Sequence, residues 1–235
     1  MPHNFHWQGK PLAAVLLAIF AALLAVTASA HGVSGTDAAF LERSSGINLP
    51  GFTYLGAKHM VTGYDHLLYL TGVIFFLRHL RDVALYVTLF ALGHSITLLT
   101  GVLAGLQLNA YIVDAVIGLS IVYKAFENLG GFRACFGVQP NPKGAVFLFG
   151  LVHGFGLATK LQDLALSDEG LVANMIAFNV GVEIGQLLAL VFLLTFFNIW
   201  RSTPGFAKHA YGFNVLLMFA GFALFGYQTM GFFYE

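Results

Sequence analysis

The sequence has little charge and almost no sulfur. Lys and Arg number 11 and Asp and Glu number 11 in 235 residues, so ionic side chains make up 9%, against roughly 25% in a soluble domain. Hydrophobic residues reach 58%, more than a soluble domain of this length could bury. Equal numbers of basic and acidic residues, with no basic run, speak against a nucleic-acid partner, and 24 Phe rule out disorder. A single cysteine, Cys135, allows neither a disulfide framework nor a thiolate zinc site within the chain. Any metal centre has to be built from imidazole, carboxylate or amide groups.

What remains is a succession of apolar stretches. The first, residues 12–26, follows Lys10 and ends in Ala28-Ser29-Ala30, the flank, length and small-x-small pattern of a secretory signal. Cleavage would leave His31 at the mature N-terminus, an amine beside an imidazole that can receive a metal ion. Residues 31–52 read as a short polar exported segment. Six stretches follow near 55–77, 83–106, 111–129, 145–161, 171–200 and 211–233, each close to the roughly 20 residues that span a bilayer. The expectation is an all-α polytopic membrane helical bundle in a lipid bilayer. Residues 1–30 are its signal peptide and 31–235 form one bundle with six transmembrane helices, or seven if the signal is kept. Arg78 and Arg81, Arg133 and Lys143, and Arg201 and Lys208 fall in alternate loops, opposite Asp163, Asp168 and Glu169. The positive-inside rule then predicts a periplasmic mature N-terminus in a bacterial inner membrane.

Ionisable residues inside such stretches are costly and mark functional positions. His59, Asp65 and His66 lie in the first stretch, His94 and Ser95 in the second, His153 in the fourth, and Asn179, Glu183 and Gln186 in the fifth. His59 and His66 are seven residues apart, which puts both on one stripe of a continuous helix, with Asp65 turned toward a His on a neighbouring helix. Asn179, Glu183 and Gln186 follow an i, i+4, i+7 pattern that predicts one inward polar face. By residue count, His66, His94, His153 and Glu183 share a level near mid-membrane, with His59 nearer the outer surface. This set predicts a divalent transition-metal site of His59, Asp65, His66, His94, His153 and Glu183, with Ser95, Asn179 and Gln186 beside it and His31 as a receiving group. Neutral imidazole and carboxylate suit nickel, cobalt, zinc or copper(II). The same inventory also fits a membrane-embedded zinc hydrolase, with three His on the metal and Asp65, Glu183 or Ser95 assisting. No Gly-rich segment ends in Gly-Lys-Ser or Gly-Lys-Thr, so there is no ATP-binding loop of that kind. One internal echo, Leu89-Phe90-Ala91-Leu92-Gly93-His94 against Leu148-Phe149-Gly150-Leu151-Val152-His153, carries little weight alone in so Leu- and Phe-rich a chain.

His59, five residues, then Asp65-His66 is the most specific of several local patterns. It is joined by Leu92-Gly93-His94-Ser95-Ile96-Thr97-Leu98, by the run from Gly118 to Tyr123 with Glu127-Asn128, by the run from Phe149 to Gly156, and by Phe178 to Gln186. From His31 onward the sequence resembles the second branch of the HupE/UreJ family of hydrogenase and urease accessory membrane proteins. The resemblance implies a permease for a divalent metal, nickel or cobalt foremost, working with metalloenzyme maturation proteins. In the nickel-linked branch a second motif carries two His and a following Glu on one helix. Here His153 stands alone, and Glu183 would supply the carboxylate from another helix.

Overall fold

The computed structural model describes residues 35–163 and 167–234; the signal segment and His31 lie outside them. The described residues form nine α-helices: α1 (Gly35–Arg43), α2 (Leu49–Thr62), α3 (Tyr64–Ile74), α4 (Leu80–Ala104), α5 (Ala110–Asn128), α6 (Gly131–Phe136), α7 (Pro142–Gln162), α8 (Leu171–Arg201) and α9 (Gly205–Tyr234). Four of them, α4, α7, α8 and α9, are long and apolar enough to cross a membrane. Their outer faces carry exposed Leu188, Val191, Phe192 and Phe219, as lipid contact requires.

Local chemistry starts the helices where it should. Asn48, Asn109 and Asn141 each accept a backbone N–H of the first turn of α2, α5 and α7, the commonest side-chain cap, and Pro follows the cap in α2 and α7, where its missing N–H costs nothing. Within the segment read as a short polar exported stretch, 31–52, the described residues form α1 and the start of α2. Leu41 anchors α1 in the core, and Asp37 pairs with Lys58 at 2.8 Å.

The first apolar stretch is not one continuous helix. It breaks at Gly63, whose ψ of 96° leaves the helical region, so α2 and α3 are separate pieces. This removes the basis on which a common stripe was assigned to His59 and His66, although their rings still meet.

The packing is in pairs. Helices α4 and α7 run parallel and touch through glycine: a Cβ on Gly93 would strike the Phe147 carbonyl, one on Gly150 the Phe90 carbonyl and one on Gly154 the His94 carbonyl. In the same way α2 lies on α8 through Gly56 and Gly181, and α5 on α9 through Gly118 and Gly221. Small residues allow this approach, and dispersion between the backbones takes the place of the hydrophobic drive that lipid does not supply. Gln186 on α8 donates to the Val87 carbonyl on α4 at 3.3 Å and ties two pairs together. At the end that holds Arg201, this side chain donates to the carbonyls of Ile74 and Phe75, closing the end of α3. Phe75, Phe197, Trp200, Phe206 and Phe213 stack around it.

Replacing Gly181 with Val should lower stability by about 1–3 kcal/mol, the usual cost of overpacking, because a Cβ there overlaps the Thr53 carbonyl. Gly212→Ala, where nothing lies within 4 Å, should leave the unfolding midpoint unchanged or slightly raised. Thermal unfolding in detergent checks both, and equal midpoints for the two variants would remove the pairing argument.

Candidate metal centre

The break at Gly63 brings the first site residues together. With the helix interrupted, the first N–H groups of α3 lack partners four residues back, and Asp65 Oδ1 accepts from His66 N at 2.9 Å. The same oxygen lies 2.9 Å from His66 Nδ1. A carboxylate oxygen only accepts, so Nδ1 carries the proton and Nε2 presents its lone pair. Asp65 therefore orients the imidazole beside it in sequence, where a neighbouring helix had been expected. Glycine is required at the break: a Cβ on Gly63 would sit 2.9 Å from His66 Nδ1 and 3.1 Å from Asp65 Oδ1.

The second oriented imidazole is His153. Ser120 on α5 donates its only proton to the Ile117 carbonyl at 2.6 Å, so toward His153 Nε2, 3.1 Å away, it accepts. That fixes the proton on Nε2 and leaves Nδ1 bare.

Around His66 the rings of His153, His59 and His94 have centroids at 4.9, 5.2 and 5.7 Å. One ligand atom from each of His59, His66 and His94 lies within 4.8 Å of the other two, and the same is true of Asp65, His66 and His153. His66, His94 and His153 are 0–2% exposed. Five nitrogens in this group, His59 Nε2, His66 Nε2, both of His94 and His153 Nδ1, are buried with no hydrogen-bond partner. A buried polar atom left unsatisfied costs about 1–3 kcal/mol, and an ion bound through one nitrogen of each ring would offset part of that cost. Of these imidazoles only His153 is hydrogen-bonded across helices, to Ser120; among the described residues the others make no such bond that would mark them as structural glue. The walls are aromatic: Phe90 lies 5.1 Å from His153 and Tyr69 lies 5.3 Å from it, while Phe178 lies 6.3 Å from His59. Neutral imidazoles converging in a dry chamber suit a borderline divalent ion.

The other expected members fall elsewhere. Glu183 is exposed on the outer face of α8, so the predicted inward stripe divides: Asn179 and Gln186 are buried and Glu183 is not. The reason is angular. At about 100° per residue Glu183 lies about 40° beyond Asn179, on the side away from the buried Phe178 and Val182, and that step carries it off the packed face. Gln186 is spent on Val87, and Asn179 donates to the Met175 carbonyl at 3.2 Å while its Oδ1 is unpartnered. Ser95 is half-buried, and Ser120 takes the hydrogen-bonding place beside the imidazoles. Ser120 lies in the run from Gly118 to Tyr123 that carries part of the family resemblance, but nothing in that run marked it as a partner of an imidazole.

A small cleft with charged and polar walls adjoins the group, lined by Tyr64, Asp65, Asp114, Ile117, Lys160, Leu224 and Gln228. Its ion pair, Lys160 with Asp114 at 2.7 Å, was not anticipated, because neither residue belongs to an obvious pattern in its own helix.

The fold and this centre define an all-helical membrane protein with a buried imidazole cluster. The sequence matches the HupE / UreJ protein family over residues 35–235, and the chain belongs to that family of membrane proteins linked to nickel and cobalt uptake. Among curated proteins and among solved structures none matches.

Ser120→Ala should free the His153 tautomer and lower metal affinity by about 10–100-fold, as loss of such an orienting partner does. Gly63→Ala should act at least as strongly by displacing His66. Titration calorimetry of the purified protein with Ni²⁺ checks this, and wild-type affinity in both variants would show that these groups do not set the ligand atoms.

Proposed function

We propose that the protein is a permease that takes a divalent transition metal, nickel or cobalt foremost, across the bacterial inner membrane to supply metalloenzyme assembly. The observation that carries this reading is the pair of overlapping clusters, His59, His66 and His94 and Asp65, His66 and His153, in each of which one ligand atom per residue lies within 4.8 Å of the others. In this proposal the ion is the cargo. His59, His66, His94 and His153 hold it, and Asp65 and Ser120 keep two of the rings in the binding tautomer. Glu183 has no part in the ligand set. His31, where an exported N-terminus would present it, receives the ion first.

The same proposal has six crossings, with α2 and α3 forming one discontinuous span and α5 completing the set, after a cleaved signal at 1–30. A helix interrupted at the depth of the site is how many transporters expose backbone and side chains to a substrate without exposing them to lipid. The ends carrying Arg78, Arg133 and Arg201 face the cytoplasm in this reading, and the ends near Asp163 and Glu169 the periplasm. Imidazole ligands bring no negative charge to the ion, which favours a grip weak enough to release it on the far side.

His66→Ala and His153→Ala should each reduce cellular uptake of Ni²⁺ or Co²⁺ to the level of cells lacking the protein, with normal amounts in the membrane. Glu183→Gln, His79→Ala and His209→Ala, at three exposed positions outside the imidazole cluster, should leave uptake unchanged. Wild-type uptake in both of the first two variants would end the permease reading. A stoichiometric ion kept through purification together with turnover of a lipid amide would replace it with the zinc-hydrolase reading.

A further inference from the structure

We infer that the Asp114–Lys160 ion pair is an electrostatic gate on the route by which a cation reaches the imidazoles; the inference rests on the permease reading above. Four helices meet at this place. Asp114 lies in the second turn of α5, Lys160 in the last turn of α7, Gln228 near the end of α9 and Tyr64 at the start of α3, and all four line one cavity whose wall includes Asp65. Asp65 Oδ1 is also the atom that holds His66. The cavity therefore runs from the bundle end opposite Arg78, Arg133 and Arg201 to the carboxylate that sets the central imidazole.

The heights fit a gate. Asp114 is six residues before Ser120 and Lys160 is seven after His153, which at 1.5 Å per residue puts the pair about 10 Å from the centre along the bundle. Lys160 Nζ is 2.7 Å from Asp114 Oδ2, and the side chains are 24% and 10% exposed, so the pair is largely shielded by the bundle without being sealed inside it. While it is closed, an ammonium stands in the passage and opposes any second cation. An arriving dication takes the Asp114 carboxylate as Lys160 swings aside on its flexible four-carbon stem. The carboxylate has a cationic partner before, during and after the exchange, so the acid is never left bare in a low-dielectric wall. The lysine thereby sets the rate of admission and discriminates against ions too weakly charged to displace it.

The two halves of a gate should have opposite effects when removed, whereas the two halves of a structural clamp should have the same effect. For the full chain in proteoliposomes, Lys160→Met should raise the initial rate of Ni²⁺ uptake at subsaturating metal by about tenfold, the scale on which charge in a cleft alters association. Asp114→Asn, which leaves the ammonium uncompensated in the passage, should lower it by about the same factor, and the double variant should return toward the wild type. If Lys160→Met does not assemble, Lys160→Arg keeps the pair, and its more firmly held guanidinium should slow uptake without shifting the unfolding midpoint. An independent readout uses Gln228→Cys with Cys135, the exposed native cysteine, replaced by Ser. A cationic thiol reagent should label it faster when Lys160→Met is added, and Ni²⁺ should protect it. Loss of uptake in both single variants alongside loss in His66→Ala would overturn the gate and leave the permease standing. Full uptake in His66→Ala would overturn the permease itself.

Discussion

The structure depends on imidazoles gathered inside the bundle with ring nitrogens that no group among the described residues bonds. In a lipid-facing bundle an unpartnered nitrogen cannot relax toward solvent, and each one costs on the order of 1–3 kcal/mol. Five of them, at His59, His66, His94 and His153, are retained together with the groups that make them useful. Asp65 and Ser120 each hold one ring by its protonated nitrogen and leave the other nitrogen bare. Random polar insertions would not come with tautomer control at two separate rings. The rest of the fold can be understood as what it takes to keep these atoms close and dry.

Two devices do that. Glycine contacts let α4 and α7 approach until His94 and His153 stand over the same ring of His66. The interruption at Gly63 turns the first apolar stretch so that His59 comes from the end of one helix and Asp65-His66 from the start of the next. A continuous helix would also place residues 59 and 66 on one stripe, but about 10 Å apart along the axis, too far for rings whose centroids are 5.2 Å apart. The break is what converts a sequence spacing into a contact.

Much of this was legible in the sequence. The charge deficit dictated lipid as solvent, and the depth count put His66, His94 and His153 at one level, where the structure brings their rings together. The break was not legible, because Gly63 in an apolar stretch reads equally well as helix packing, and only the clash of a Cβ with His66 and Asp65 distinguishes the two. Glu183 was misplaced because Asn179 and Gln186 sit at the edge of the buried arc of α8, so a pattern that shares one face by spacing alone straddles its border. The echo between residues 89–94 and 148–153 had seemed slight. The two segments turn out to be direct partners, each putting a glycine against the other's backbone and a histidine toward the same centre. Their likeness reflects a shared packing demand, which a short match in a Leu- and Phe-rich chain cannot reveal.

The charges that remain are arranged along the axis of the bundle in a way that bears on how a cation could pass a site made of neutral ligands. Asp114 and Lys160 pair on one side of the imidazoles at 2.7 Å, and Lys124 and Glu127 pair on the other at 3.0 Å. In the proposed permease four imidazoles would grip an ion through their lone pairs without offsetting its charge, so a bound dication would be held against a large desolvation cost. A full carboxylate in the ring cluster would relieve that cost and deepen the well, and release would slow accordingly. Here the carboxylates are set one step outward on either side, each already neutralised by a lysine. Asp65 is the exception, and its Oδ1 is committed to His66. The centre can thus remain shallow while a negative group waits at each approach, as transient occupancy of a central site demands.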